Sequence, residues 1–339
     1  MLEITDSPDV KQWSEFVYNH PHGNIFQTPE MAEVYRRTKN YEPIALSGMD
    51  ENGEIDAILL GVIRTEKSGL LKSLTSWSMV IGGPLFNDNN ICKDILRNYD
   101  QRVNKKAIYN EIRMLNNPDM LDNILTSQGY FFEDHYNALI RIDKPKEQLW
   151  KQLKEDKRKG VKKARKLGIV IVESTEKDDL EIFYNLLRET YNRVRMPLPH
   201  ISFYEAIFEI LAKQGKAKFL FAKYRNEYIA TQLALIYKDT IYAFVTGAIT
   251  EYLKYHPGDL LIWHLLEWGS ENGFKVFDFG GGGTPTKNQN IRYYKSRFGA
   301  VFPNYGRYKK VYSPIKMKIA EKGFKLYRKY LSSVEYSKK

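Results

Sequence analysis

The sequence predicts a mixed α/β protein built from two similar halves, and three observations carry that expectation. Its 339 residues exceed what one ordinary core organises, so two domains are expected. Two stretches follow one plan, in which strands precede a helix that stops at glycine and an aromatic strand follows. A strongly basic helical stretch lies between them.

In chain order, NIFQTPEMAEVYRRT (24–38) is a helix entry, with Thr28 as N-cap, Pro29 at the first position and Glu30 in the first turn. Residues 42–66 give two apolar runs around Asn52-Gly53, a strong hairpin signal. SWSMVIGGPLF (76–86) and AIYNEIRML (107–115) follow as strands. Next come the helix NPDMLDNILTSQG and a single aromatic strand, YFFEDHYNALIRI. In the second half, 217–248 is a three-strand meander turning at Arg225-Asn226 and Lys238-Asp239. Residues 256–279 are a helix, a stop at Gly273 and an aromatic strand. The implied division is 1–143, a basic helical linker over 144–168, and 169–339.

Composition narrows the class. An apolar content of 43% with 27% charged residues describes a globular chain. No apolar run is long enough for a transmembrane helix. The N-terminal MLEITDSPDV lacks the basic and apolar regions of a signal peptide. The lone cysteine, Cys92, excludes an internal disulfide, so a cytoplasmic location is expected. The formal net charge of +11 favours anionic partners: nucleic acid, phosphorylated molecules or an anionic membrane face. Much of it lies in Lys157, Arg158, Lys159, Lys162, Lys163, Arg165 and Lys166. Leu149, Leu153, Val161 and Ala164 form a narrow apolar stripe among them. Such a helix is either a solvated face, an interdomain linker or a platform for a polyanion such as RNA. No HExxH, CxxC or clustered His/Asp set suggests a metal.

The densest chemical signal is FDFGGGGTPTKNQNIRYYKSRFGA (277–300). A Walker loop requires lysine next to its last glycine, whereas Lys287 follows Thr286; the dinucleotide fingerprint fails at Pro285 and Thr286. Each glycine costs about 0.5–1 kcal/mol of backbone entropy relative to alanine. Four in a row fit a flexible turn, or a strand–glycine–helix corner where bare backbone meets a substrate. In the helix that follows, Ile291, Tyr294 and Phe298 share one face, Gly299 can end it, and Lys295 sits beside that face.

The order of these motifs resembles that of the Fem aminoacyltransferases. The matching stretches are FQTPEM, EQLWKQLKEDKRKGVKKARKLGIVIVES, FYNLLRETYNR, FLFAKYRNEYIATQLALIY, YAFVTGA, YHPGDLLIWHLLEWGSENG, FDFGGGG and NIRYYKSRFGA. They cover nearly the whole chain, without the coiled-coil arm of some members. The resemblance implies two GNAT-like (acyl-CoA N-acyltransferase-like) domains, each a mixed, mostly antiparallel sheet flanked by helices. It implies transfer of an amino acid from aminoacyl-tRNA to an amine of a peptide-bearing or lipid-linked cell-wall precursor, by a monomer without a cofactor. Lys295 is then implicated at the reacting centre, with Gly281, Gly282 and Tyr294 beside the substrate and Lys159, Lys162, Lys163 and Lys166 against tRNA. Arg193, Arg195, His200 and Tyr204 match the segment that grips the acceptor, and Tyr242 and Thr246 are lesser candidates.

The sequence departs from the pattern at two places. Lys254-Tyr255-His256-Pro257-Gly258-Asp259 lacks the glycine spacing with which a GNAT helix holds pyrophosphate, and Asp259 puts an anion there; an N-cap role would explain it. Pro199 and His200 stand where members that grip a nucleotide-linked precursor carry arginine, and His200 is either a polar contact or structural. Glu267, in an apolar helix, is either a base or half of an interdomain ion pair. Two other readings stay open: an acyl-coenzyme A-dependent N-acyltransferase, and a non-catalytic RNA-binding or membrane-surface protein.

Overall fold

The computed structural model describes residues 3–66, 69 and 72–323. The chain forms two compact units, Met1–Glu133 with Tyr305–Lys339, and Asp134–Asn304. This corrects the expected division at 143 and 168, and residues 324–339 of the expected second domain lie outside the described residues.

The first unit holds β1 (Glu3–Thr5), α1 (Val10–Asn19), α2 (Pro29–Arg37), β2 (Tyr41–Met49), β3 (Ile55–Thr65), the short α3 (Lys72–Thr75), β4 (Ser76–Ile81), β5 (Leu85–Phe86), α4 (Asn89–Val103), β6 (Tyr109–Arg113), α5 (Asp119–Ser127), β7 (Phe131–Glu133) and β14 (Arg307–Val311). Its sheet runs β1-β2-β3-β4-β6-β14-β7, with β5 on β3. Local chemistry sets the expected elements. Thr28 Oγ1 caps α2 by accepting the Met31 N–H at 3.2 Å. At the β2–β3 turn, Asp50 accepts the Asn52 and Glu54 N–H groups at 2.9 Å each, and Gly53 supplies the left-handed residue. α4 and α5 bury Ile91, Ile95, Leu96 and Leu125 against Leu46, Leu59 and Ile112 of the sheet. Cys92 is buried in this core.

Gln27 shows what FQTPEM does for this unit. Its amide donates to the carbonyls of Leu60 (3.0 Å) and Ile81 (2.9 Å) and accepts the Leu60 N–H at 2.8 Å. One side chain thereby satisfies backbone groups on two strands.

The second unit contains β8 (Tyr136–Arg141), α6 (Lys146–Gln152), α7 (Glu155–Lys166), β9 (Val170–Ser174), α8 (Asp179–Val194), α9 (Ile201–Ile210), β10 (Ala217–Tyr224), β11 (Glu227–Tyr237), β12 (Thr240–Ala248), α10 (Pro257–Glu271), β13 (Val276–Gly283) and α11 (Gln289–Ser296). Its sheet order is β8-β13-β12-β11-β10-β9. The meander turns where expected, with Arg225 and Lys238 at positive φ. α6, α7 and α10 pack Leu149, Leu153, Val161, Leu261 and Leu265 into one core with Phe277 and Phe298.

Two expectations change here. The aromatic stretch 130–142 is two strands in two sheets: β7 pairs with β14, and β8 pairs with β13. Asp134 and His135 interrupt it, and the His135 N–H goes to Asn304 Oδ1 at 2.9 Å instead of a ladder. The basic helix is not a linker, because the stripe of Leu149, Leu153, Val161 and Ala164 is fully built into the second core.

Candidate active site

In the middle of the second sheet, β12 and β13 run parallel and pair only at Thr240↔Val276, Ile241↔Phe277 and Tyr242↔Asp278. Beyond these rungs β12 continues on β11 to Ala248, while β13 follows β8 to Gly283. The two strands therefore part, leaving backbone groups without ladder partners along a wedge. Glycine makes the parting possible. Gly280 and Gly283 adopt φ of 75° and 77°, and the β13–β8 register shifts on either side of Gly281.

Lys295 of α11 closes the base of this wedge. Its ammonium donates to the carbonyls of Phe279 and Gly281, the latter at 2.9 Å, and lies 5.0 Å from the Phe279 ring centre. Two of its three N–H donors are thus engaged, and one remains. Beneath it, Asp278 is buried and accepts the Gly280 N–H at 2.7 Å, a bond that helps set the bulge. Burial pushes the Asp278 carboxyl up to about 6, opposed by the Gly280 N–H and the Lys295 charge. Burial likewise pushes Lys295 down to about 8, opposed by Asp278. Tyr242, on the last paired rung, has its hydroxyl pKa raised by burial and then by the Asp278 charge. Two ionisable groups with opposed shifts, set at a break in a sheet, are the arrangement expected of a reacting centre.

A second network lies at the start of α10. Asp259 is buried and accepts Lys157 Nζ at 3.1 and 3.3 Å, the Tyr294 hydroxyl at 2.9 Å, and His256 Nδ1 at 3.1 Å. Lys157 Nζ also lies 4.1 Å from the Tyr294 ring centre. The expectation that Asp259 caps the helix is corrected: the N-cap is His256, in the left-handed region, and α10 has no side-chain cap. Asp259 instead places its own negative charge at the positive end of the helix. α7 lies directly against this turn, since a Cβ on Gly160 would be 2.6 Å from Asp259 Oδ2 and 3.0 Å from His256 Nδ1. α7 and the buried Asp259 therefore pack at the start of α10, the position where a helix N-terminus could otherwise receive an external pyrophosphate.

The other expected residues divide. Gly281 and Gly282 lie on β13 beyond its last rung with β12, Gly281 exposed beside His135 and Gly282 buried against Phe302 and Tyr136. Thr246 is exposed on the half of β12 that does not pair with β13, its hydroxyl donating to Thr231 O at 3.0 Å. Lys159, Lys162, Lys163 and Lys166 are exposed along α7, with Lys159 paired to Glu155 at 2.7 Å. Lys157, part of the same basic cluster in sequence, is buried on Asp259. Ile291, expected on the packed face of α11, is 44% exposed, because only Tyr294 and Phe298 turn towards Phe279. Arg193 donates to Ala248 O at 3.3 Å and to Thr250 Oγ1 at 2.8 Å, and Arg195 ends α8 in the left-handed region. His200 caps α9 through the Ser202 N–H at 3.2 Å. Tyr204 is fully buried among Phe183, Tyr184 and Phe203 and shows no surface to a ligand. Glu267 pairs with Arg165 at 3.0 Å, within the second unit and not between domains.

Sequence reasoning missed Asp278, Lys157 and Arg292. A carboxylate alternating with phenylalanines in VFDF was the available signal for Asp278. Arg292 donates to the carbonyls of Gly282, Thr284, Pro285 and Lys287, so one guanidinium holds the loop after the glycines. Among the described residues, no group of three or more His, Cys, Asp or Glu is placed to hold a metal ion.

Residues 151–296 match the acetyltransferase (GNAT) domain family. No curated protein matches the sequence. Among solved structures, FemX superposes with a TM-score of 0.71 at 14% identity, over 91% of this chain and 97% of FemX. The tandem GNAT protein from the clavulanic acid biosynthesis pathway gives 0.60 at 12%, over 93% and 99%. L-PGS from Bacillus licheniformis gives 0.57 at 15%, over 91% and 93%. The chain thus has the fold of these structures, a tandem GNAT fold, and the match to the GNAT domain family lies within its second unit.

Proposed function

We propose that the protein transfers an amino acid from aminoacyl-tRNA to an amine on a peptide-bearing or lipid-linked acceptor such as a cell-wall precursor. The observation that carries this reading is the pairing of an open acyl-transfer wedge with a closed pyrophosphate position. Lys295 stands over bare glycine backbone in the wedge, while α7 and Asp259 occupy the turn where a coenzyme A donor would be held. The resemblance to FemX in fold supports the donor class.

In this chemistry the acceptor amine attacks the ester carbonyl of the aminoacyl group. A C–N bond forms, the ester C–O bond breaks, and the amine proton ends on the departing ribose oxygen. The free N–H of Lys295 stabilises the oxyanion as it develops, the largest contribution a protein site usually makes to such a step. Lys162, Lys163 and Lys166, exposed on one face of α7, meet the tRNA phosphates.

The test supplies purified protein with mixed labelled aminoacyl-tRNAs and a cell extract. The expected result is label in an RNase-resistant product, with no acetyl-coenzyme A binding by calorimetry at millimolar ligand. Micromolar binding of acetyl-coenzyme A, with no transfer from tRNA, would replace this reading by an acyl-coenzyme A-dependent one, the activity class of many GNAT domains.

A further inference from the structure

We infer that the helical residues 314–323 form a docking surface for an anionic lipid bilayer. Residues 314–323 are helical and start from Ser313, whose carbonyl accepts the Met317 N–H at 2.9 Å. Ile315 and Ile319, one turn apart, are 75% and 50% exposed, whereas Met317 and Ala320 on the other side are half-buried. Two isoleucines displayed in phase on an exposed helix cost hydration free energy unless something apolar receives them. Lys316, Lys318 and Lys322 stand against the single Glu321 in the same stretch, so the apolar stripe is flanked by net positive charge.

At roughly 100° per residue, Lys316 falls on one side of Ile315 and Ile319, and Lys318 and Lys322 on the other. An apolar arc bordered by lysines is the pattern of a helix lying in the plane of a membrane, with its apolar side at the acyl boundary and its cations among anionic headgroups. RNA offers phosphates for the lysines but nothing for the isoleucines. Among the described residues no helix is long and apolar enough to cross a membrane, which suits a segment lying on the surface.

The experiment sediments the full chain with vesicles of phosphatidylglycerol and phosphatidylcholine in equal parts, and with phosphatidylcholine alone. Wild type should pellet with the anionic vesicles, and less so as salt rises. Ile315→Glu/Ile319→Glu should weaken binding about tenfold or more, since it puts charge at the acyl boundary. Lys318→Gln/Lys322→Gln should weaken it by roughly fivefold per cation lost. These side chains are exposed, so thermal unfolding should be unchanged and serves as the control. Failure of wild type to bind anionic vesicles, or equal binding by the isoleucine variant, would overturn the proposal. So would a wild-type dimer in light scattering that the isoleucine variant dissolves without any vesicle binding, which assigns the face to a second copy.

Discussion

Among the described residues each unit has one parallel step in its sheet, and the two steps behave differently. In the first unit β4 and β6 pair from Ser78↔Asn110 to Ile81↔Arg113, the last residues of both strands, and the Gly82 N–H extends the seam to Arg113 O at 2.8 Å. Gln27 and Asn24 then take up the carbonyls of Ile81 and Gly82. The Trp77 and Tyr109 rings stack across the seam with centres 5.6 Å apart. In the second unit the corresponding step unzips after Tyr242↔Asp278. The difference lies in residue type: β6 reads YNEIR, whose side chains pack, and β13 reads VFDFGGGG, whose backbone turns away at Gly280 and Gly283. In the second sheet side chains are withheld at this step and the Lys295 ammonium is brought to the Phe279 and Gly281 carbonyls.

Removing the charge that holds α7 to α10 should have the largest effect. Asp259→Ala leaves Lys157 buried without its partner, and should cost roughly 3–5 kcal/mol of stability in urea unfolding. Replacing both members by apolar residues of similar volume should restore most of it. A single variant as stable as wild type would show that the pair does not hold the helix over the turn.

Lys295→Met should lower turnover about 10²–10³-fold, corresponding to roughly 3–4 kcal/mol of oxyanion stabilisation, without lowering the unfolding midpoint. Wild-type turnover in this variant would remove the lysine from the mechanism. The pH dependence sharpens the point. Lys295 is held down to about 8 from an ordinary 10.5, so the folded state loses its proton first. Across that window activity should fall as the cation is lost, while the lysine's contribution to stability rises, because the unfolded chain binds more protons. In Lys295→Met both slopes should vanish, and an unchanged activity profile would point to another titrating group.

Gly280→Ala tests the parting of the strands. A side chain at φ 75° costs roughly 1–2 kcal/mol, and relief of that strain would shift the Phe279 and Gly281 carbonyls that hold Lys295. Turnover should therefore fall further than stability. The smallest effect is expected outside the wedge: glutamine at Lys162, Lys163 and Lys166 should leave stability intact and flatten the salt dependence of tRNA binding by about one log–log unit per lost phosphate contact. An unchanged slope would reassign the exposed face of α7 to solvation.

Much of this was legible in the sequence because it is local. Thr28-Pro29 starts α2, Asn52-Gly53 and Arg225-Asn226 turn hairpins and Gly273 ends α10, each through forces acting within a few residues, and the spacing of 149–164 alone marks which face of its helices is apolar. Lys295 beside the glycine corner was legible for the same reason, since α11 follows the corner directly. Tertiary structure alone decided which strand joined which sheet: 130–142 divides because its halves find different partners, β14 and β13. It also decided the fate of charges far apart in sequence. Lys157 is indistinguishable by composition from Lys159 and Lys162, yet it is buried because Asp259, 102 residues on, waits on the facing helix. Burial and long-range electrostatics depend on what comes to lie opposite a side chain, and residue type and spacing alone do not specify that neighbour.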